Sequence, residues 1–276
     1  MSISLLNNIS SLEAQNALSM TQMNLNNTLQ QLSTGQRINS GADDAAGLAI
    51  ANGLSANITA LTQSVRNASD GVGFLQVADG ALSQITTLLN RAVTLATEAA
   101  TGTVSDTQRQ ALDAEFSSIK AEIDTIGGNT TYTGQAIFTA STLTIFLSDS
   151  SAAGTTSVTV GMVTVDSGDL NGASLTADAL TTTAAATQAL TDINAAIADV
   201  AGLRGTLGAS SNQLQAATNV MNNQIQNLTN AENGIMAADI GQATSNLSKY
   251  SILQQTGIAA LQQANNMQQS VLKLFQ

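Results

Sequence analysis

The chain has 276 residues and a net charge of −11, and it contains no Cys, His, Trp or Pro. Without His or Cys there is no imidazole base, no thiolate nucleophile and no zinc ligand set of the usual kind. Only carboxylate chemistry remains, no catalytic motif is present, and we expect no enzyme, metal site or cofactor. The eight basic residues are scattered singly, which argues against nucleic acid as a partner. No stretch reaches the roughly 18 apolar residues of a membrane span, and the first residues do not resemble a cleaved signal peptide.

The first predicted element is a helix between Leu5 and Leu32. Its apolar residues step mostly by three, four or seven positions, which is typical of one helix face. They are Leu5, Ile9, Leu12, Leu18, Leu25, Leu29 and Leu32. We expect Gly35 to end this helix, and Asp43 and Asp44 favour the N-terminus of the next helix.

Two further helices are predicted before residue 130. The second has apolar residues alternating by four and three from Leu54 to Leu75 and then by sevens to Ala96, and Thr101-Gly102 ends it. Ser105 with Gln108 forms a capping-box pattern that opens the third helix. We expect Gly127, Gly128 and Asn129 to stop that helix.

The segment 139–181 has a different character. Residues 143–147 and 157–165 are rich in β-branched residues and alternate in polarity, which predicts a small β-hairpin region. From about Ala184 to Ile235 the pattern is helical again, with an apolar residue at every seventh position. Those residues are Ile193, Val200, Leu207, Leu214, Met221, Leu228 and Ile235. Gly202, Gly205 and Gly208 interrupt it and predict either a kink or a close approach of another backbone.

Both ends of the chain are apolar-patterned but almost uncharged. Residues 1–42 contain only Glu13 and Arg37 as charged residues, and residues 250–276 contain only Lys273. The element order predicts a mainly α fold, a long antiparallel coiled-coil-like helical rod with a small β-hairpin region and the termini paired at one end. We expect the ends to be buried against copies of the chain, through the apolar residues of the first helix together with Leu253, Ala260, Ala264, Met267, Val271 and Leu274.

Four strings of residues resemble the hallmarks of bacterial flagellins. They are LSTGQRINSGADDAAGLAIA at 32–51, LRGTLGA at 203–209, ILQQTG at 252–257 and QANNMQQSVL at 263–272. The resemblance runs from end to end. It implies a structural subunit that assembles head to tail into the helical filament used for swimming, after export through a type III apparatus without leader cleavage.

The resemblance also implies a domain plan and a set of partners. Residues 1–43 and 236–276 would form the inner tube (the family's D0 domain), and residues 44–235 would form the helical bundle with hairpins around it (D1). The large outer domains of longer members are missing here. Implied partners are identical subunits, an export chaperone, the filament cap and hook-associated proteins, and the implied location is extracellular.

A second implication of the resemblance concerns an animal Toll-like receptor. In members recognised by it, an arginine, a leucine and a glutamate of D1 make contacts, and Arg91, Leu95 and Glu115 stand at the matching positions. The plainer interpretation is that Arg91 and Glu115 are solvated or inter-subunit charges.

Two alternatives to the filament subunit remain at this stage. A hook–filament junction protein shares the terminal helices but forms a short ring. A secreted coiled-coil adhesin stalk would form a closed trimer with charged residues flanking its heptads, which the uncharged ends argue against.

Overall fold

The computed structural model describes residues 8–148 and 156–273, and α-helices hold most of them. The sequence prediction of a mainly α fold is confirmed. The helices are α1 (Ile9–Thr34), α2 (Ala45–Ala99), α3 (Asp106–Asn129), α4 (Thr183–Met236) and α5 (Ile240–Lys273). Leu5 and Leu274 lie outside the described residues, as does the side chain of Val271.

The capping residues read from the sequence lie at the helix ends. Gly35 follows α1 with φ of 70°, and its N–H donates to the carbonyl of Gln31. Asp44 accepts from the N–H of Gly47 at the start of α2. At α3 the Ser105 side chain accepts from the N–H of Gln108, whose side chain accepts from the N–H of Ser105. Each contact satisfies a backbone group that a helix end leaves unpaired.

The stop predicted at Gly127, Gly128 and Asn129 is confirmed, since α3 ends at Asn129. Within this run Gly127 has a further role, in tertiary packing. A Cβ added to Gly127 would overlap the carbonyl oxygen of Val165, whereas one added to Gly128 would meet open space. Gly127 therefore serves the close packing of α3 against a strand.

Within residues 8–148 and 156–273 the strands pair into three two-stranded antiparallel sheets, β1–β2, β3–β4 and β5–β6. Two of them, β3–β4 and β5–β6, lie within the predicted segment, while the sequence reading missed β1–β2. The β-patterned stretch 157–165 belongs to two strands, since β4 ends at Gly161 and β5 begins at Val165. The bounds are β1 (Thr131–Tyr132), β2 (Gln135–Ala136), β3 (Thr142–Phe146), β4 (Ser157–Gly161), β5 (Val165–Asp166) and β6 (Asp169–Leu170).

The chain divides into two compact units. Unit 2 (Asn57–Gln226) contains the hairpins, α3 and most of α2 and α4. Within it α2 and α4 run antiparallel, since Asp79 bonds Arg204 and Gly71 lies beside Leu214. The residues at seven-residue spacing on α4 are buried as far as Met221. On α2 they are buried from Leu61 to Ala96. The heptad pattern thus marks the core of this unit.

Gly202, Gly205 and Gly208 neither break α4 nor lie against another backbone among the described residues. The helix is continuous through Gly202, Gly205 and Gly208. A Cβ added at any of them would have no atom within 4 Å other than those of its own turn.

Unit 1 consists of Met1–Ala56 and Asn227–Gln276. Here α1 packs beside α5 in antiparallel fashion, as Ser11 bonds Asn265 and Gln22 bonds Gln254. Leu228 and Ile235, which continue the seven-residue spacing of α4, are only half-buried in this unit.

Candidate assembly surface

The contact between α1 and α5 runs along both helices, and the hydrogen bonds across it join polar side chains. Gln254 donates from Nε2 to Oε1 of Gln22 at 2.6 Å, and the Ser11 hydroxyl donates to Oδ1 of Asn265 at 3.0 Å. Leu18 packs against Gly257, where a Cβ would lie 3.3 Å from the leucine Cδ1. The apolar side chains that this contact buries are few and include Leu25 and Ala264. Such a pair leaves most of each helix surface uncovered.

Arg37 ties the loop after α1 to the end of α4. Its N–H donates to the carbonyl of Met236 at 2.6 Å, and its guanidinium Nη2 donates to the carbonyl of Ile235 at 2.8 Å. Ala238 in turn donates to the carbonyl of Gly35 at 3.0 Å. The arginine thus satisfies carbonyls that α4 leaves unpaired and places a positive charge at the negative end of the helix dipole.

An apolar surface remains on the side of α1 that faces away from α5. At 100° per residue, Ile9, Leu12, Met20 and Met23 share one side of the helix, opposite Leu25. Their exposed fractions lie between 56% and 61%. We call these four residues the outer face of α1. On α5, Ile252 is 63% and Met267 56% exposed. Among the residues that the structure describes, nothing covers this surface, and exposed apolar area of this kind is typical of an interaction surface.

The residues predicted for assembly fall into three groups in this fold. Leu25 and Ala264 are buried between α1 and α5. Leu18 and Leu32 are half-buried. The others with described side chains are exposed, namely Ile9, Leu12, Leu29, Leu253, Ala260 and Met267.

The sequence reading missed part of the exposed apolar set and the role of Arg37. It followed one periodic line of residues and so passed over Met20, Met23 and Ile252, which lie beside that line. For Arg37 a signal existed, because a lone cation in an otherwise nearly uncharged segment must have a local partner.

Arg91 and Glu115 form an exposed ion pair that joins α2 and α3. The Arg91 Nη2 and the Glu115 Oε1 are 2.7 Å apart, and the two side chains are 53% and 45% exposed. The hydrogen bond between them raises the pKa of Arg91 and lowers that of Glu115 from their ordinary values. Leu95, one turn after Arg91, is 1% exposed. Its side chain supports α2 from the core and does not share the exposed surface of the pair.

Among the described residues no three acidic, His or Cys side chains are grouped so as to hold a metal ion. Within the same residues, none of the helices has the length and apolar character needed to cross a membrane.

Comparison with known proteins finds similar sequences over nearly the whole chain. Residues 5–142 match the family model of the bacterial flagellin N-terminal helical region, and residues 190–275 match that of the C-terminal helical region. The chain belongs to the bacterial flagellin family. It is 32% identical to a flagellin of Halalkalibacterium halodurans over 96% of this chain and 97% of that protein. It is 31% identical to a flagellin of Listeria monocytogenes over 97% of this chain and 98% of that protein.

Flagellins are structural proteins, and this chain is a structural subunit of the flagellar filament. A putative flagellar hook-associated protein from Vibrio parahaemolyticus shares the fold, with a TM-score of 0.60 over 71% of this chain and 100% of that one. At 14% identity that likeness concerns the fold alone. Because the family models and the relatives matched over nearly the whole chain are flagellins, the junction protein and the adhesin stalk are not favoured.

Proposed function

We propose that subunits polymerise head to tail through the apolar surface that α1 and α5 leave exposed. The outer face of α1 carries the argument: four large apolar side chains are more than half exposed on a helix whose only charged residue is Glu13. Burying each of them on a neighbouring copy is worth about 1.5–3 kcal/mol. Contacts of this heterologous kind that do not close into a ring give an open helical polymer.

In this proposal residues 1–43 and 236–276 form the inner tube (D0), and residues 44–235 lie around it (D1). The charge distribution supports that order. Residues 57–226 contain fourteen of the nineteen acidic residues and five of the eight basic ones. A charge excluded from water costs several kcal/mol unless it is paired. The nearly uncharged ends are therefore the parts of the chain that can be buried in a polymer at least cost.

We further propose that the subunit works outside the cell and that assembly is its whole activity. The family resemblance supports export by the type III route without leader cleavage, with an export chaperone, the filament cap and hook-associated proteins as partners. The small number of apolar side chains buried between α1 and α5 fits this path, since helices with little buried apolar surface are marginal on their own and unfold readily for passage.

A second proposal is recognition by an animal Toll-like receptor at Arg91 and Glu115. The exposed ion pair offers a cation and a carboxylate on neighbouring helices. Leu95 would contribute only by supporting α2. The test measures receptor signalling with Arg91→Ala and with Arg66→Ala, an exposed arginine of the same helix. Equal signalling from both variants would refute the proposal.

The main proposal is tested by electron microscopy of seeded protein, comparing the full chain with a version that lacks residues 1–42 and 250–276. Circular dichroism first checks that the shortened chain is still helical. We expect long filaments from the full chain and none from the shortened one. Rings or discrete trimers from the full chain would overturn it.

A further inference from the structure

The chain contains three Asn–Gly pairs, of which two lie in helices and one lies in a turn. Asn52-Gly53 lies inside α2 and Asn233-Gly234 lies inside α4. Asn171-Gly172 lies in the turn that follows β6. Asn followed by Gly is the pair in which the Asn side-chain amide is most open to attack by the next backbone nitrogen, because Gly has no Cβ to block the approach.

The turn at Asn171 is tight and exposed. Leu170 donates to the carbonyl of Ala173 at 2.8 Å, so the two residues between them form the whole loop. Asn171 has φ of 64° and Gly172 has φ of 121°. Both residues are exposed to solvent. The Gly172 N–H does not take part in a backbone ladder; it donates to Oδ1 of Asp169 at 2.9 Å.

In the two helical pairs the glycine N–H is held by a backbone hydrogen bond of the helix. In an α-helix each N–H beyond the first turn donates to the carbonyl four residues earlier. Gly53 and Gly234 both lie beyond the first turn of their helices. Their nitrogens can reach the preceding side chain only after the helix opens locally, which carries a free-energy cost.

We propose that Asn171 is a site of spontaneous, selective deamidation in the folded protein. The Gly172 nitrogen attacks Cγ of Asn171 and forms a five-membered succinimide, while the proton on that nitrogen passes to the Asp169 carboxylate. The bond from Cγ to Nδ2 breaks, and the amide nitrogen takes up a proton and leaves as ammonia. Water then opens the ring at either carbonyl, giving aspartate or isoaspartate. No oxidant or reductant is needed.

The modification places a new negative charge where acidic groups already gather. Asp169 bonds the turn directly, and Oδ2 of Asp199 would lie 3.7 Å from a Cβ built on Gly172. The neighbouring strand β5 packs on α3, with Ser167 bonded to Asp124. A longer isoaspartyl backbone would strain this hairpin. Because ammonia is lost, the original Asn does not re-form, and the fraction of deamidated Asn171 would increase with the age of the subunit.

The test incubates the full chain at mildly alkaline pH and follows all three pairs by peptide mapping and isoaspartate labelling. The helical pairs serve as internal controls. We expect deamidation at Asn171 to be at least about tenfold faster than at Asn52 or Asn233, which corresponds to about 1.4 kcal/mol of activation free energy. In denaturant the three rates should converge, because the local sequence is then the only difference.

Asn171→Gln provides the second variant, since its longer side chain would have to close a six-membered ring. It should remove the fast phase while leaving the helical circular dichroism unchanged. Equal rates at all three pairs in the folded chain, or a fast phase that persists in Asn171→Gln, would overturn the proposal.

Discussion

At the scale of single residues, Asp178 shows the clearest conflict between charge and position. It precedes α4 in unit 2, and its carboxyl lies beside that of Asp192, which also accepts from Gln188 at 2.9 Å. Burial, followed by the charge of Asp192 and a hydrogen bond to it, raises the pKa of Asp178 above its ordinary value of 3.8, although Lys120 opposes the change.

The raised pKa fixes the sign of a stability change. Between its unfolded and folded pKa values Asp178 holds more protons in the folded chain, so stability falls as pH rises through this range. We expect Asp178→Asn to raise the melting temperature at pH 7 and to lose that advantage below pH about 4. Circular dichroism melts measure both.

Asp70→Asn is the matched control, since it removes the same charge from an exposed position of α2 in the same unit. If both variants raise the melting temperature equally, general charge repulsion in unit 2 would be the cause and the Asp178–Asp192 pair would not.

At the scale of secondary-structure elements, α3 offers two adjacent glycines with opposite expected effects. Gly127→Ala forces a Cβ into the Val165 carbonyl and should destabilise the chain by about 1–3 kcal/mol. Gly128→Ala meets open space in the same helix and should stabilise it by up to about 1 kcal/mol. Denaturant unfolding measures both free energies, and a change of the same sign in the two variants would contradict this account of α3.

Arg37 allows a similar comparison at the end of α4. Arg37→Gln removes the charge and the Nη2 hydrogen bond to Ile235, and should cost about 0.3–1 kcal/mol because α4 loses its C-terminal cation. Arg66→Gln is the control, since Arg66 is exposed and donates to Gln63 of its own helix. An unchanged unfolding free energy in Arg37→Gln would show that the backbone bonds alone hold the loop.

How far the sequence predicted these elements depends on whether the signal is local. The capping box at Ser105 and the glycine after α1 depend on neighbouring residues, and both were predicted. The packing role of Gly127 could not be predicted, because the Val165 carbonyl that requires a glycine there lies nearly forty residues away. The same holds for the division of residues 157–165 into two strands, since β5 pairs with Asp169–Leu170 and packs on α3. At the assembly surface, periodicity identified the helices. It did not distinguish the apolar residues of α1 that pack on α5, such as Leu25, from those of the outer face, such as Ile9 and Leu12.

At the scale of the whole molecule, polymer stability should follow the apolar character of the outer face of α1. Met23→Gln keeps the size of the side chain but not its apolar end, and we expect the critical concentration for polymerisation to rise about tenfold, equivalent to about 1.4 kcal/mol. Met23→Leu keeps the surface apolar and should polymerise nearly as well as the original chain. Sedimentation of polymer from free subunits measures both.

The monomer sets the control for that experiment. Met23 is 56% exposed in the single chain, so neither substitution should change the unfolding of the free subunit appreciably. If Met23→Gln unfolds the monomer more easily, or polymerises as well as Met23→Leu, the outer face of α1 is not the contact between copies.

The pairing of α1 with α5 also implies a delay during protein synthesis, because the two helices lie near opposite ends of the chain. Gln22 meets Gln254 across 232 residues of chain. At about 5–20 residues per second, the first helix leaves the ribosome roughly 10–50 s before its partner exists. Throughout that interval the residues of α1 that pack on α5, such as Leu25, lack that partner. Any cellular factor that must act on the unfolded subunit therefore has tens of seconds in which to bind it. The length of this interval follows from the 232 residues between Gln22 and Gln254.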